Sequence, residues 1–175
     1  MSALPLERDD YRMEDLPEDQ AWPRQEIIDG SLYVSPYAKL DHQRLVGRLR
    51  FALQALVPPD LEVLPGGNVF RRSETDRLLI PDVLVLERDC EAVRTGSLSA
   101  SPEDVYLAAE VISQSSRTMD LVTKRELYAE WKVGSYWVVD PQAQRVHRFG
   151  DRSIEGSWLA DVDLDGLWPE PPKGP

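Results

Sequence analysis

Residues 106–140 read YLAAEVISQSSRTMDLVTKRELYAEWKVGSYWVVD, a succession of strand, helix and strand that sets the architecture. Tyr106–Ile112 is apolar throughout except at Glu110, the pattern of a strand covered on both faces. SQSSRTMD leads into a helix, predicted over Asp120 to about Lys132, with Gly134 closing its C-terminal end. SYWVVD returns to a dense strand pattern. RVHRF follows it across the turn Asp140-Pro141-Gln142-Ala143-Gln144, which makes the pair a hairpin.

Upstream, LLIPDVLVLE at 78–87 is another dense aliphatic run and reads as a central strand. LEVL and NVFRR flank Pro65-Gly66-Gly67 as two shorter strands. Leu45, Val46, Leu49, Leu53 and Leu56 recur at helical spacing until Pro58-Pro59 stops the run. In EIIDGSLYV, Asp29-Gly30 stands between two apolar runs, the strongest short-range hairpin signal. A short helix is predicted near Asp10–Leu16, a loop with one helical turn over Arg88–Asp104, and a last strand in SIEGSWLA. The class is α+β, or mixed α/β: a sheet with helices packed on it. The expected organisation is one domain over 1–165, with an acidic segment at 1–20 and a Pro-rich tail at 166–175.

At 175 residues the chain is long enough to bury a core without staples, and 42% hydrophobic with 29% charged residues is a globular composition. No apolar run approaches the ~18 residues of a membrane span, and MSALPLERDD carries no apolar signal-peptide core. A lone cysteine, Cys90, excludes an internal disulfide and any cysteine-rich zinc site, so a reducing cytoplasm is the expected setting. The net charge of -11 argues against binding nucleic acid by bulk positive charge. The acids crowd the two ends, however: residues 31–150 carry 16 acids against 15 bases. Arginine supplies 16 of the 20 basic residues, and a guanidinium can grip phosphate oxygens in pairs.

Glu110 is the most informative residue, because a carboxylate inside an apolar strand needs a base, a set of donors or a metal ion beside it. The plain alternative is a structural acid paired with an arginine. Asp82, after Pro81 at the entry of a second central strand, raises the same question, although Pro-Asp is also a common turn pair. Two such carboxylates on neighbouring strands can share a divalent cation. Asp120, Lys124 and Tyr128 step by four along the helix after the Glu110 strand. That edge can fold back over the strand end and bring the Lys124 ammonium to the acids. Its bland counterpart is an Asp120–Lys124 pair on a solvated face, with Tyr128 packing and its hydroxyl at the site rim.

In their order, IPDVLVLE, AAEVISQSS and DLVTKRELYAEWKVGSYWVVDP, together with QEIIDGSLYVSP and the helix from His42, resemble the Uma-two family of candidate restriction endonucleases. That family belongs to the PD-(D/E)xK nuclease superfamily. The resemblance implies a restriction-endonuclease-like fold, a mixed β-sheet flanked by helices. It implies a metal-dependent endonuclease acting on the phosphodiester bonds of DNA, with Mg²⁺ or Mn²⁺ held by Asp82, Glu110 and the Val111 backbone carbonyl. The superfamily lysine is absent two residues after Glu110, where Ile112 stands, and Lys124 takes its place on the following helix. Glu26 matches the family's acid before the Asp-Gly hairpin, as auxiliary ligand or lysine partner. His42 matches a position in the first long helix, where helical spacing alone makes it a core histidine.

Two functions of different kind remain open at this level. One is the nuclease with Asp82, Glu110, Lys124 and Glu26 as its catalytic set and His42, Tyr128 and Asp120 as auxiliaries. The other is an inactive nuclease-fold protein acting as a binding or assembly module. Nuclease action on two strands suggests a homodimer, with Trp131, Trp137, Trp158 and Trp168 as candidates to cover its interface. Core packing is the default for each.

Overall fold

The computed structural model describes residues 8–17, 24–97, 99–113, 115–150 and 157–168. Strands β1 (Arg24–Ile28) and β2 (Ser31–Ser35) form an antiparallel hairpin. Asp29 and Gly30 both take positive φ, 48° and 78°, as the two-residue turn demands. A side chain at Gly30 would collide with the Asp9 carbonyl. Helix α1 (Leu40–Gln54) then buries Leu45, Leu49 and Leu53, the expected stripe.

The central sheet has five strands in the order β3 (Leu61–Leu64), β5 (Val83–Glu87), β7 (Val105–Val111), β8 (Tyr136–Asp140) and β9 (Arg145–Phe149). Only the β7–β8 pair is parallel, so the sheet is mixed. Successive residues of β7 serve opposite layers, because side chains alternate along a strand. Leu107, Ala109 and Val111 pack with α1. Ala108 and Ile112 pack with Leu127, Tyr128 and Trp131 of α3 (Lys124–Glu130) and its C-terminal end. Glu110 therefore faces the α3 layer.

The expected strand 78–87 is divided by Pro81, which has no N–H for a ladder. Leu78 and Leu79 bridge to Ile27 and Val69, while Val83–Glu87 alone enters the central sheet. Between them Asp82 sits at a bend beside the end of β7, its amide bonded to the Ala109 carbonyl at 2.9 Å.

Other elements depart from the expectations in ways with local causes. The predicted strand NVFRR contracts to β4 (Asn68–Val69), parallel to β6 (Ser99–Ala100). The expected loop 88–104 holds α2 (Glu91–Thr95), ended by Gly96 at φ 67°. The helix after β7 opens with a π-helical turn, Met119–Thr123, before α3. Lys132 at φ 58°, not Gly134, takes the left-handed position after α3. A 3-10 turn, Met13–Asp15, stands where the short N-terminal helix was expected. Trp158–Asp161 is also a 3-10 turn, so the second half of SIEGSWLA is not a strand; its first half and the tail past Trp168 lie outside the described residues. Trp131 and Trp137 are fully buried in the core, and Trp158 and Trp168 pack against the cluster under α1. No helix among the described residues is long and apolar enough to cross a membrane.

Candidate active site

Seven polar side chains meet where β5 begins and β7 ends. Arg24 and Glu26 come from β1, His42 from the first turn of α1, and Asp82 from the bend after Pro81. Glu110 comes from β7, Asp120 from the π-helical turn and Lys124 from the start of α3. The six sequence-expected groups Glu26, His42, Asp82, Glu110, Asp120 and Lys124 are brought together.

Lys124 is 3% exposed, and its Nζ donates to Glu110 Oε1 at 2.8 Å and to Glu26 Oε2 at 3.0 Å, with Asp120 Oδ1 at 3.5 Å. Its pairing with Asp120 is buried, not the solvated-face pair that spacing alone permits. Glu26 is a lysine partner, and its Oε1 also accepts the Ile80 amide at 2.7 Å. The division of strand 78–87 at Pro81 thus serves two acids: Ile80 ties down Glu26, and Asp82 turns toward β7. There Asp82 Oδ2 accepts the Val111 amide at 2.8 Å and lies 3.2 Å from His42 Nε2. Val111 meets Asp82 through its N–H. His42 is a site residue and not a core histidine. Tyr128 is fully buried, with its hydroxyl inside the core and not at a rim. The nearby Tyr136 hydroxyl donates to the Asp120 carbonyl at 2.9 Å.

Arg24 was not singled out by sequence, and it completes the site. Its Nη1 donates to Asp82 Oδ1 at 2.8 Å and its Nη2 to Glu110 Oε2 at 3.4 Å. An arginine at the start of a strand is ordinarily a surface residue, and both its partners lie far along the chain. The available signal was its position two residues before Glu26, which places both on one face of β1.

The four carboxylates outnumber the two permanent cations, Arg24 and Lys124, by two. Burial pushes Glu110 well above the usual carboxylate range, against the pull of Lys124 and Arg24. Burial likewise raises Asp120, opposed by Lys124. Asp82 goes the other way: burial would raise it, but the His42 hydrogen bond and the Arg24 guanidinium together hold it below the usual range. Lys124 is desolvated yet raised, because Glu110, Glu26 and Asp120 surround its ammonium. His42 is raised chiefly by its hydrogen bond to Asp82.

This chemistry fits a hard divalent cation. All the acceptors are oxygens, the acids are in excess, and a cationic group already stands between Asp82 and Glu110 in the form of the Arg24 guanidinium. Among the described residues, no three His, Cys, Asp or Glu side chains are grouped so as to hold a metal by themselves. Any ion here would rest on two carboxylates, with backbone and water oxygens completing its shell, as Mg²⁺ commonly accepts.

A family model described as “Putative restriction endonuclease” and named Uma2 matches residues 9–171. The chain belongs to the Uma2 family. No curated protein matches it. Among solved structures, a “putative nuclease belonging to DUF820” from Anabaena variabilis ATCC 29413 shares the fold at a TM-score of 0.66 and 14% identity. That match covers 90% of this chain and 97% of the other. The restriction-endonuclease-like α+β class expected from sequence is thereby shown. All seven site residues fall within the span that matches Uma2.

Proposed function

We propose that this Uma2 protein is a divalent-metal-dependent endonuclease that hydrolyses phosphodiester bonds of DNA. The observation that carries the proposal is the buried meeting of Asp82, Glu110 and Lys124, delivered by three separate elements onto one end of the sheet. A structural descendant of a nuclease would gain nothing from burying three acids around one lysine and a fourth beside Arg24, an arrangement whose desolvation costs several kcal/mol per ion.

In this function Asp82 and Glu110 would hold Mg²⁺ or Mn²⁺, with the Val111 backbone carbonyl as a further oxygen ligand. The bound ion would supply Lewis acidity at the scissile phosphate and would make water more acidic. Glu26 and Asp120 fix the Lys124 ammonium, which opposes negative charge developing on the phosphoryl oxygens. His42 and the Val111 amide hold Asp82 in one rotamer and keep it ionised. Attack by water forms the new P–O bond as the bond to the leaving deoxyribose oxygen breaks; the water gives up one proton to solvent, and the leaving oxygen takes one up from solvent. A cytoplasmic homodimer, one copy for each DNA strand, is the assembly that suits such a cut, and a monomeric mass in solution would contradict it.

The test is cleavage of supercoiled and single-stranded DNA with Mg²⁺ or Mn²⁺ by the wild type beside Asp82→Asn and Lys124→Ala, purified identically. Metal-dependent cleavage by the wild type, lost in both variants, is expected. Equal cleavage by all three would mean a contaminating nuclease. The second function, an inactive nuclease-fold binding module, is favoured by one observation: Arg24 spans the two carboxylates that an ion would need. Failure of the wild type to bind Mn²⁺ at millimolar concentration would overturn the metal-dependent enzyme as drawn.

A further inference from the structure

We propose that Arg24 is the resident counter-cation of this site and that a divalent ion exchanges with it, expelling the guanidinium from between Asp82 and Glu110. The inference rests on the metal site proposed above and adds a residue that competes for it.

The allocation of carboxylate oxygens supports the exchange. Asp82 Oδ2 is engaged by the Val111 amide and His42, and Glu110 Oε1 by Lys124. The other oxygen of each acid, Asp82 Oδ1 and Glu110 Oε2, is held by Arg24. An ion bridging the two carboxylates at bonding distances of about 2.1 Å would need those same oxygens. It could not share them with the Nη groups, because its charge would repel the guanidinium across so short a gap.

The two site cations differ in their freedom to leave. Lys124 is enclosed by Glu26, Glu110 and Asp120, with a side chain 4% exposed. Arg24 has a side chain 20% exposed and lies at the open end of the hairpin, opposite Ser35. Its buried Nε has no hydrogen-bond partner among the described residues, so only the two Nη contacts and a distant approach to Glu26 retain it. Exchanging one positive charge for two also reduces the excess of acid in the site. Arg24 therefore neutralises the acids when no ion is bound and lowers the apparent affinity for one.

A competitor seated about nine-tenths of the time lowers apparent affinity tenfold. Mn²⁺ titration by calorimetry is expected to show about tenfold tighter binding or more for Arg24→Gln than for wild type. Arg88→Gln, which removes an arginine paired with Glu62 past the far end of β5, should bind as wild type does. In the unmutated protein, the Arg24 Nε–H should exchange slowly with water in chelator. Saturating Mg²⁺ should speed that exchange, as read by ¹⁵N NMR. This measurement stands even where Arg24→Gln fails to fold. Equal or weaker Mn²⁺ binding by a folded Arg24→Gln would overturn the exchange and leave the nuclease standing, as would an unchanged Nε–H rate at saturating Mg²⁺. Absence of Mn²⁺ binding by both proteins would remove the metal site and this inference with it.

Discussion

At the scale of single residues, Lys124 holds the site together because its buried ammonium lies within 3.5 Å of three buried acids, Glu26, Glu110 and Asp120. Removing one partner of a buried ion cluster strands the others in low dielectric, at a cost of about 3–5 kcal/mol. Lys124→Met is therefore expected to lose about that much stability in chelator. Adding Glu110→Gln should restore part of the loss, since one stranded charge is then gone. Urea denaturation of the single and double variants measures this coupling, and strictly additive losses would show that Lys124 and Glu110 do not support each other. Glu110 and Lys124 were legible in the sequence for the same physical reason. A carboxylate in an apolar strand demands compensation, and a helix edge one connection away can deliver it. Arg24 and His42 were harder to find, because an arginine opening a strand and a histidine on an apolar helix face both have ordinary explanations. Asp82 was legible, but its pairing with both of them is visible only once the chain is folded.

At the scale of elements, the turns that require particular residues were the most legible. Asp29-Gly30 announced the hairpin, and Gly30→Ala is expected to cost about 1–3 kcal/mol, since φ 78° disfavours a side chain and the Asp9 carbonyl leaves no room for one. Denaturation of the variant checks this, and a neutral result would mean that the hairpin can shift. Elements fixed by distant contacts were illegible: Leu78 and Leu79, before Pro81, pair with β1 and β4 and not with the central sheet, and a π-helical turn carries the buried Asp120. A similar long-range contact pins α3 to the loop before β5. Glu74 accepts from Trp131 Nε1 at 2.9 Å and from Arg71 Nη1 at 2.7 Å. The Trp131 bond, opposed by burial and aided by Arg71, lowers the Glu74 carboxyl below its ordinary 4.5. A lowered folded-state value gives stability that is present above 4.5 and lost as pH falls through the folded value. Glu74→Gln should thus lie about 1 kcal/mol below wild type near neutrality. The gap should close in acid, and a gap independent of pH would exclude the carboxylate as its source.

At the scale of the whole molecule, the question is how a chain with a net charge of -11 holds a polyanion. Among the described residues, nine of fifteen arginines are paired with acids. Arg71, Arg77 and Arg88 each pair with acids, and Arg44 with Asp41. Protein–DNA affinity falls with salt in proportion to the phosphates neutralised, at a log–log slope of about -0.9 for each. A surface this acidic, with most of its described arginines committed to its own carboxylates, should engage only about two or three phosphates, giving a slope of about -2 to -3. Substrate capture would then depend on the proposed metal site at Asp82 and Glu110 more than on the protein's field. Fluorescence anisotropy of a labelled duplex with Lys124→Met in Mn²⁺, over a range of KCl, measures the slope while slowing cleavage. The same titration in chelator should show affinity falling sharply. A slope of about -6 or steeper, or binding indifferent to chelator, would place the grip in a basic surface and not in the metal site.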